Sequence, residues 1–578
     1  MTRVLSGAQI IYKKLLQHNV TDVFAYTGGA IMPLIDTLYK NSKINYYVNT
    51  HEQSATHAAT GYAKSTGKPG ICIMTSGPGV TNSITGLTDA TNDSTPLILF
   101  TGNVQLSAIG TNAFQECPAT DITKPITKWS YMIDNINDVG DVVDEAFRVA
   151  ISGKPGAVHI DIPKCVLMSK FYQEFYNKKS FNNLIIKPEK KNVNNIDHIN
   201  KLINSAKKPI LLIGQGCNDY SDQLRSFAIQ SNIPVTTTIH AMGVFDETHE
   251  LSLEFLGMHG NVAANYAIQE SDLIIALGTR FDDRITGVVE KYAPKAFEAY
   301  KNGKGGIVHV NKNDKEIGNI INSHYNLHAD CGDFLNVLKT KYQERKQWMS
   351  EIKHWKNKYK FTYNKTDRLK TQEVLTAMNE YLLKIDNYQI TSGVGNHQMM
   401  ASQFIKWRYP KTFFSSGSLG VMGTGLPYAI GCQIANPDKL IIDIDGDGSF
   451  NHTLSELKTV NNYNLPIKIA VMNDGHFSMV RTWEKLFFEE RYTATNLYEN
   501  PDYVKLAEAY GIKGIYCDMR EDLDDKINEF LSYDKAILCE FKVETDECFP
   551  LVKPGSALDD IILSNSIAGK MQTNLPPG

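Results

Sequence analysis

Two carboxylates carry the clearest chemical signal in the sequence. Residues 440–444, Leu-Ile-Ile-Asp-Ile, run directly into Asp445-Gly446-Asp447-Gly448-Ser449. A second apolar run, 467–472, ends in Asn473-Asp474-Gly475-His476. Either tail alone reads as a turn, because Asp, Asn and Gly are common turn formers. Together they set Asp447 and Asp474 at the carboxyl ends of two successive buried strands, with a helical stretch at 453–460 between them. Ligands of parallel sheets collect at that end. Glycine lets the backbone approach a phosphate, and carboxylate oxygens suit a hard cation. The layout points to Mg²⁺ bridging two phosphates. A third carboxyl, Glu52, opens a stretch of small residues at 53–66. On its own it reads as a first-turn glutamate favoured by the helix dipole.

Three segments must position these groups. In each, short apolar strands alternate with helical stretches, the signature of parallel α/β sheets. The first has strands at 70–74, 97–101 and 157–162, after an amphipathic helix that Ser6 can cap and that runs through Ile10, Ile11, Leu15 and Leu16. The second has strands at 209–213, 273–277 and 306–310, and the third at 440–444, 467–472 and 536–543. The Lys/Asn-rich stretch 171–194 reads as a linker. Residues 339–370, rich in Lys, Trp and Tyr, read as a helical connector along the surface. The expected fold is α/β, with three doubly wound parallel-sheet domains at 1–175, 190–340 and 371–578. Whether the first and third repeat one architecture stays open.

Composition excludes several classes. Lys and Arg total 59 against 63 Asp and Glu, a net charge of −4 over 578 residues. Such balance gives no electrostatic reason to expect nucleic acid or an anionic membrane as partner. No apolar run approaches the ~20 residues needed to span a bilayer. The nine cysteines form no C-x-x-C pair, which argues against a zinc or dithiol site, and their scatter suits a reducing compartment. The first residues lack the pattern of a secretory or transit peptide. With the abundance of Asn, Lys and Ile, the expectation is a protein of a bacterial cytoplasm or plastid stroma.

The combined motifs resemble those of the thiamine-diphosphate enzymes. Gly446-Asp447-Gly448 followed by Asn473-Asp474 resembles their metal-diphosphate motif, with Asp474 where Asn is common. Gly393-Val394-Gly395-Asn396-His397-Gln398 resembles the diphosphate loop, with Asn396 where Gln is usual. Gly417-Ser418-Leu419-Gly420-Val421-Met422-Gly423 resembles the segment that clasps the aminopyrimidine, and His51-Glu52-Gln53 the glutamate segment. Within that group, Thr75-Ser76-Gly77-Pro78-Gly79-Val80-Thr81-Asn82, Gly110-Thr111-Asn112-Ala113-Phe114-Gln115-Glu116, the stretch from Ser152 to Lys164, Gly278-Thr279-Arg280-Phe281-Asp282-Asp283-Arg284 and Met479-Val480-Arg481-Thr482-Trp483 resemble the acetolactate synthases.

That resemblance implies a pyrimidine-binding, a central FAD-binding-like and a diphosphate-binding domain. It implies that Asp447, Asp474 and the His476 carbonyl hold Mg²⁺. Gly395, Asn396, His397, Gly448, Ser449 and Met479 would contact thiamine diphosphate, with Gly420 and Met422 on its pyrimidine. Glu52 would switch the proton of that ring, and Gly29, Gln115 and Lys164 would stand at the reacting centre. Phe114, Arg284, Met479 and Trp483 would receive the second 2-keto acid. FAD would lie against Lys154, Gly214, Gly216, Met258, His259, Gly260, Gly278, Arg280, Asp282, Arg284 and Asn311. Lys154 replaces a usual Arg, Asn311 an acidic residue and Thr27 a common Pro. The implied substrates are pyruvate and 2-ketobutyrate. The implied assembly is a homodimer or larger, with the site between subunits and a separate small regulatory subunit. Three alternatives stay open: a flavin-using thiamine oxidase of pyruvate, an FAD-free catabolic acetolactate synthase, and an idle scaffold.

Overall fold

The apolar runs fold into three six-stranded sheets in which every neighbouring pair is parallel. This is a computed structural model, and it describes residues 4–172, 196–497 and 499–564. Helices cover both faces of each sheet, so the central strands are apolar throughout rather than alternating. Strands Gly70–Met74, Pro209–Ile213 and Leu273–Leu277 coincide with the apolar runs. Strands Leu97–Asn103, Ala157–Pro163 and Leu440–Gly446 run on past them. Their last residues are polar, glycine or proline and give no apolar strand signal, yet they still pair with neighbours.

The first sheet runs Asn45–Val48, Asp22–Ala25, Gly70–Met74, Leu97–Asn103, Ala157–Pro163, Trp129–Met132. The third runs Phe413–Phe414, Tyr388–Ser392, Leu440–Gly446, Lys468–Asn473, Ile537–Lys542, Lys513–Cys517. Counted within each domain, both orders are 2-1-3-4-6-5, so the two do share one architecture. The central sheet differs. It runs Ser252–Phe255, Val235–Thr237, Pro209–Ile213, Leu273–Leu277, Gly306–Asn311, Tyr325–His328, which is order 3-2-1-4-5-6, that of dinucleotide-binding sheets.

Ser6 caps the helix Gly7–Gln17 through a capping box with Gln9. Of the stretch read as a linker, Phe171 pairs antiparallel with Leu5, and residues 173–195 lie outside the described residues. The connector is corrected in part. Its helix Lys346–Lys358 is anchored by Trp348, 1% exposed, whose Nε1 donates to the Pro209 carbonyl at 3.0 Å. Trp348 and Ile352, four apart, turn one face of a lysine-rich helix into the central domain. Among the described residues no helix is long and apolar enough to cross a membrane.

The first and third domains meet through the helices Glu52–Thr66 and Gly425–Ala435. Glycine is required at the crossing. A Cβ on Gly61 would lie 2.4 Å from the Tyr428 carbonyl oxygen, and one on Gly431 would lie 1.9 Å from that of Ala58. Gly431→Leu therefore overpacks this seam and is expected to lower stability by about 3 kcal/mol, read as a lower urea midpoint in tryptophan fluorescence.

Candidate active site

The loops after three adjacent strands of the third sheet build one end of the site. Asp447 follows Leu440–Gly446 and opens the short helix Asp447–Phe450. Its Oδ2 accepts the Gly475 amide at 3.0 Å and the Asn500 Nδ2 at 2.5 Å. Asp474 follows the next strand, Lys468–Asn473. Its Oδ1 accepts the His476 amide at 3.0 Å, and its Oδ2 accepts the Ser478 hydroxyl. Burial and the neighbouring Asp474 push the Asp447 carboxyl up to about 7, and burial pushes Asp474 up as well. Residues 475–477 pair with 495–497 through the Gly475 carbonyl and the Phe477 amide, so the His476 carbonyl takes no part in that ladder.

From the strand Tyr388–Ser392 the chain turns at Gly395 into the helix Asn396–Phe404, whose first amides point to the same end. Asn396 spends its Nδ2 on the Asp546 carbonyl at 2.9 Å. His397 Nε2 stands 3.3 Å from buried Asp445. Gly420 and Met422 lie on the loop before Gly425–Ala435, and the Gly423 amide donates to Ser449 Oγ at 2.8 Å.

These residues share one cavity of about 1090 Å³ with the central domain. That exceeds the ~300–1,000 Å³ usual for one small ligand. From the sequence-derived set, the cavity wall includes Gly395, Asn396, His397, Gly420, Met422, Asp447, Gly448, Ser449, Asp474, His476, Met479 and Trp483. On the central side it includes Gly214, Gly216, Met258, His259, Gly278, Arg280, Asp282, Arg284 and Asn311, with Lys154 from the first domain. The loops after Pro209–Ile213 and Leu273–Leu277 touch backbone to backbone: a Cβ on Gly214 would lie 2.2 Å from the Gly278 carbonyl oxygen.

Several expected residues stand elsewhere. Gly260 is not in the wall; it packs on the backbone of Leu256 behind it. Nor do Glu52, Gly29, Gln115, Phe114 and Lys164 line this cavity. They gather instead at the carboxyl ends of the first sheet. Glu52, 6% exposed, begins its helix with Oε2 accepting Asn82 Nδ2 at 3.0 Å. Gln115 holds a left-handed φ of 63° with its backbone against Gly77. Gly29 faces open space, Lys164 caps the end of Ala157–Pro163, and Phe114 is 89% exposed. One chain thus carries two groups of candidate residues that do not share a cavity.

Some cavity and half-site residues were not foreseen. Asn500 bridges Asp447 and Asn473 from a loop without a motif. Asn82 was in view only as the end of a glycine-rich turn. Glu316 Oε1 lies 3.4 Å from Lys154 Nζ in the cavity wall, five positions beyond the strand end where an acidic residue was sought at Asn311.

The geometry defines a class that comparison confirms. Residues 5–123, 196–338 and 393–541 match, in turn, the N-terminal, central and C-terminal domains of the thiamine pyrophosphate enzymes. The chain is 40% identical to the mitochondrial acetolactate synthase catalytic subunit of Saccharomyces cerevisiae, across 99% of this chain and 85% of that protein. It is 41% identical to the mitochondrial acetolactate synthase of Schizosaccharomyces pombe (97% and 87% covered) and 39% to the acetolactate synthase of Mycobacterium leprae (97% and 91%). The chain belongs to the acetolactate synthase family of thiamine pyrophosphate enzymes.

Asn500→Ala removes a donor from Asp447 without touching a candidate metal ligand. It is expected to raise the Mg²⁺ concentration needed for half-saturation by about tenfold, measured by magnesium titration of the activity.

Proposed function

We propose that this chain decarboxylates pyruvate and joins the two-carbon fragment to a second pyruvate or to 2-ketobutyrate, giving 2-acetolactate or 2-aceto-2-hydroxybutyrate. One observation carries the reading: Arg284, Met479 and Trp483 line the same cavity as Asp447 and Asp474. A guanidinium and an apolar wall beside a cation site suit a 2-keto acid, whose carboxylate and alkyl end need opposite environments. The Arg284 guanidinium has an exposed ion pair with Asp283 and no buried carboxylate partner among the described residues.

The donor sets fit the cofactors. Two buried carboxylates that resist ionising side by side, with a backbone carbonyl outside its ladder, form an all-oxygen set for Mg²⁺. Asp447, Asp474 and the His476 carbonyl would hold it. Gly395, Asn396, His397, Gly448 and Ser449 would hold the diphosphate, and Gly420, Met422 and Met479 the rest of the coenzyme. The central cavity, with its dinucleotide-type strand order, fits FAD against Gly214, Gly216, Met258, His259, Gly278, Arg280, Asp282, Arg284 and Asn311. Lys154 and Glu316 would meet its polar end.

When bound, thiamine diphosphate supplies a thiazolium that stabilises the carbanion left by loss of carbon dioxide. The chain's own groups do the rest. Glu52 presents a buried carboxyl whose Oε2 is fixed by Asn82, and its Oε1 would face the pyrimidine as the group that relays a proton there. Gln115 and Gly29 offer donors to a developing oxyanion, and Lys164 lines the approach. Arg284 orients the second acid by its carboxylate while Phe114, Met479 and Trp483 exclude water around its alkyl group.

Because Glu52 and Asp447 belong to separate half-sites, the active unit in this reading is a dimer whose partner completes each site. The budding-yeast relative is named a catalytic subunit, and a separate regulatory subunit is part of the same reading.

Glu52→Gln is expected to cut acetolactate formation from pyruvate by about 100-fold or more while the variant still binds thiamine diphosphate in calorimetry. Mixing unfolded Glu52→Gln and Asp447→Asn chains and refolding them together should restore about a quarter of wild-type activity, since each mixed dimer regains one whole site. No recovery on mixing would place both residues in one subunit's site.

A further inference from the structure

The loop with Gly420 and Met422 is held by a buried ionic network from outside its own domain. Asp93, buried just past the helix Ile84–Asn92, accepts the Gly417 amide at 3.1 Å and the Ser418 amide at 2.9 Å. Lys64, buried on the helix Glu52–Thr66, stands 2.8 Å from Asp93 and also donates to the Ser415 carbonyl at 3.2 Å. Asp89 accepts the hydroxyls of Ser416, at 2.6 Å, and of Tyr428. The Ser416 oxygen in turn accepts the Val421 amide at 2.9 Å, and Val421 lies between Gly420 and Met422. The central domain closes the ring. His240 Nε2 is 3.3 Å from Asp93, and Arg280 reaches from the Asn92 carbonyl at 3.1 Å to Ser418 Oγ at 2.8 Å. The loop passes close under His240, and a Cβ on Gly417 would lie 2.0 Å from His240 Nε2 and push that ring aside.

A buried carboxylate persists only while it is paired and hydrogen-bonded. Burial opposes the charge on Asp93, yet Lys64 and His240 hold its carboxyl well below the usual range. Its remaining acceptors are satisfied by the loop's own amides. Displacing the loop would strand a charge, so the satisfied network and the loop position are one state.

We propose that Asp93 and Lys64 are positioning residues for the thiamine coenzyme. The buried pair sets the backbone of residues 415–418, and the Ser416 hydroxyl carries that setting to Val421 and so to the two residues on the pyrimidine. The inference rests on the assignment of Gly420 and Met422 to that ring.

The test titrates thiamine diphosphate with Mg²⁺ into the full chain by calorimetry and records the near-ultraviolet circular dichroism of the bound coenzyme. Asp93→Asn and Lys64→Met should weaken binding about tenfold or more and change the coenzyme band, while Lys64→Arg restores both. Ser416→Ala leaves the Lys64–Asp93 pair intact and should still shift the band, which decides the matter if Asp93→Asn does not fold. Folded variants with wild-type affinity and an unchanged band overturn the proposal. Met422→Ala serves as control: if it alters neither affinity nor band, the loop assignment itself fails, whatever Asp93 does.

Discussion

Asp447 and Asp474 stand at the ends of adjacent parallel strands, both buried, with the charge of one making the other harder to ionise. Nothing in a fold gains from two such groups unless a cation joins them. The surroundings follow from that constraint. Gly475 and Asn500 both donate to Oδ2 of Asp447, while the His476 amide and the Ser478 hydroxyl donate to Oδ1 and Oδ2 of Asp474, so each carboxylate is held in place. Because both carboxylates sit on the lip of a sheet, an anion held there through a metal, as proposed, would also be fixed in direction.

The central sheet supplies the other long wall. Its strand order puts Gly214 and Gly278 on neighbouring loops that touch backbone to backbone in the cavity wall. Arg280 then bridges that wall to the loop of the third domain. A ligand on one side of Arg280 and a ligand on the other therefore share a wall, so the two ends of the cavity are not mechanically independent.

The parts legible in sequence were those whose signal is local. Apolar runs gave the inner strands because burial on both faces removes alternation, and Asp447 and Asp474 stood out because two acid-glycine turns fall at the ends of successive strands. Trp348 was hidden because its helix is largely polar, and only the spacing to Ile352 betrays a buried face. Asn500 gave no signal at all, since a lone asparagine in a loop acquires meaning from what lies across from it. Glu316 was missed because the acid was sought at the strand end and the chain supplies it a turn later. Lys64, Asp89 and Asp93 carry no local signal, since groups that pair and bury them come from the other two domains.

The shared strand order of the outer domains bears on symmetry. The helices Glu52–Thr66 and Gly425–Ala435 each follow the second strand of their sheet, and they are the pair that meet at Gly61 and Gly431. Equivalent surfaces of two like units thus face one another inside a single polypeptide, an approximate dyad of the kind that relates identical protomers. Yet one unit carries an acid at the mouth of its helix and the other a pair of acids at its strand ends. Near-symmetry of backbone with divergence of side chains lets one tandem pair present unlike chemistry on matching faces.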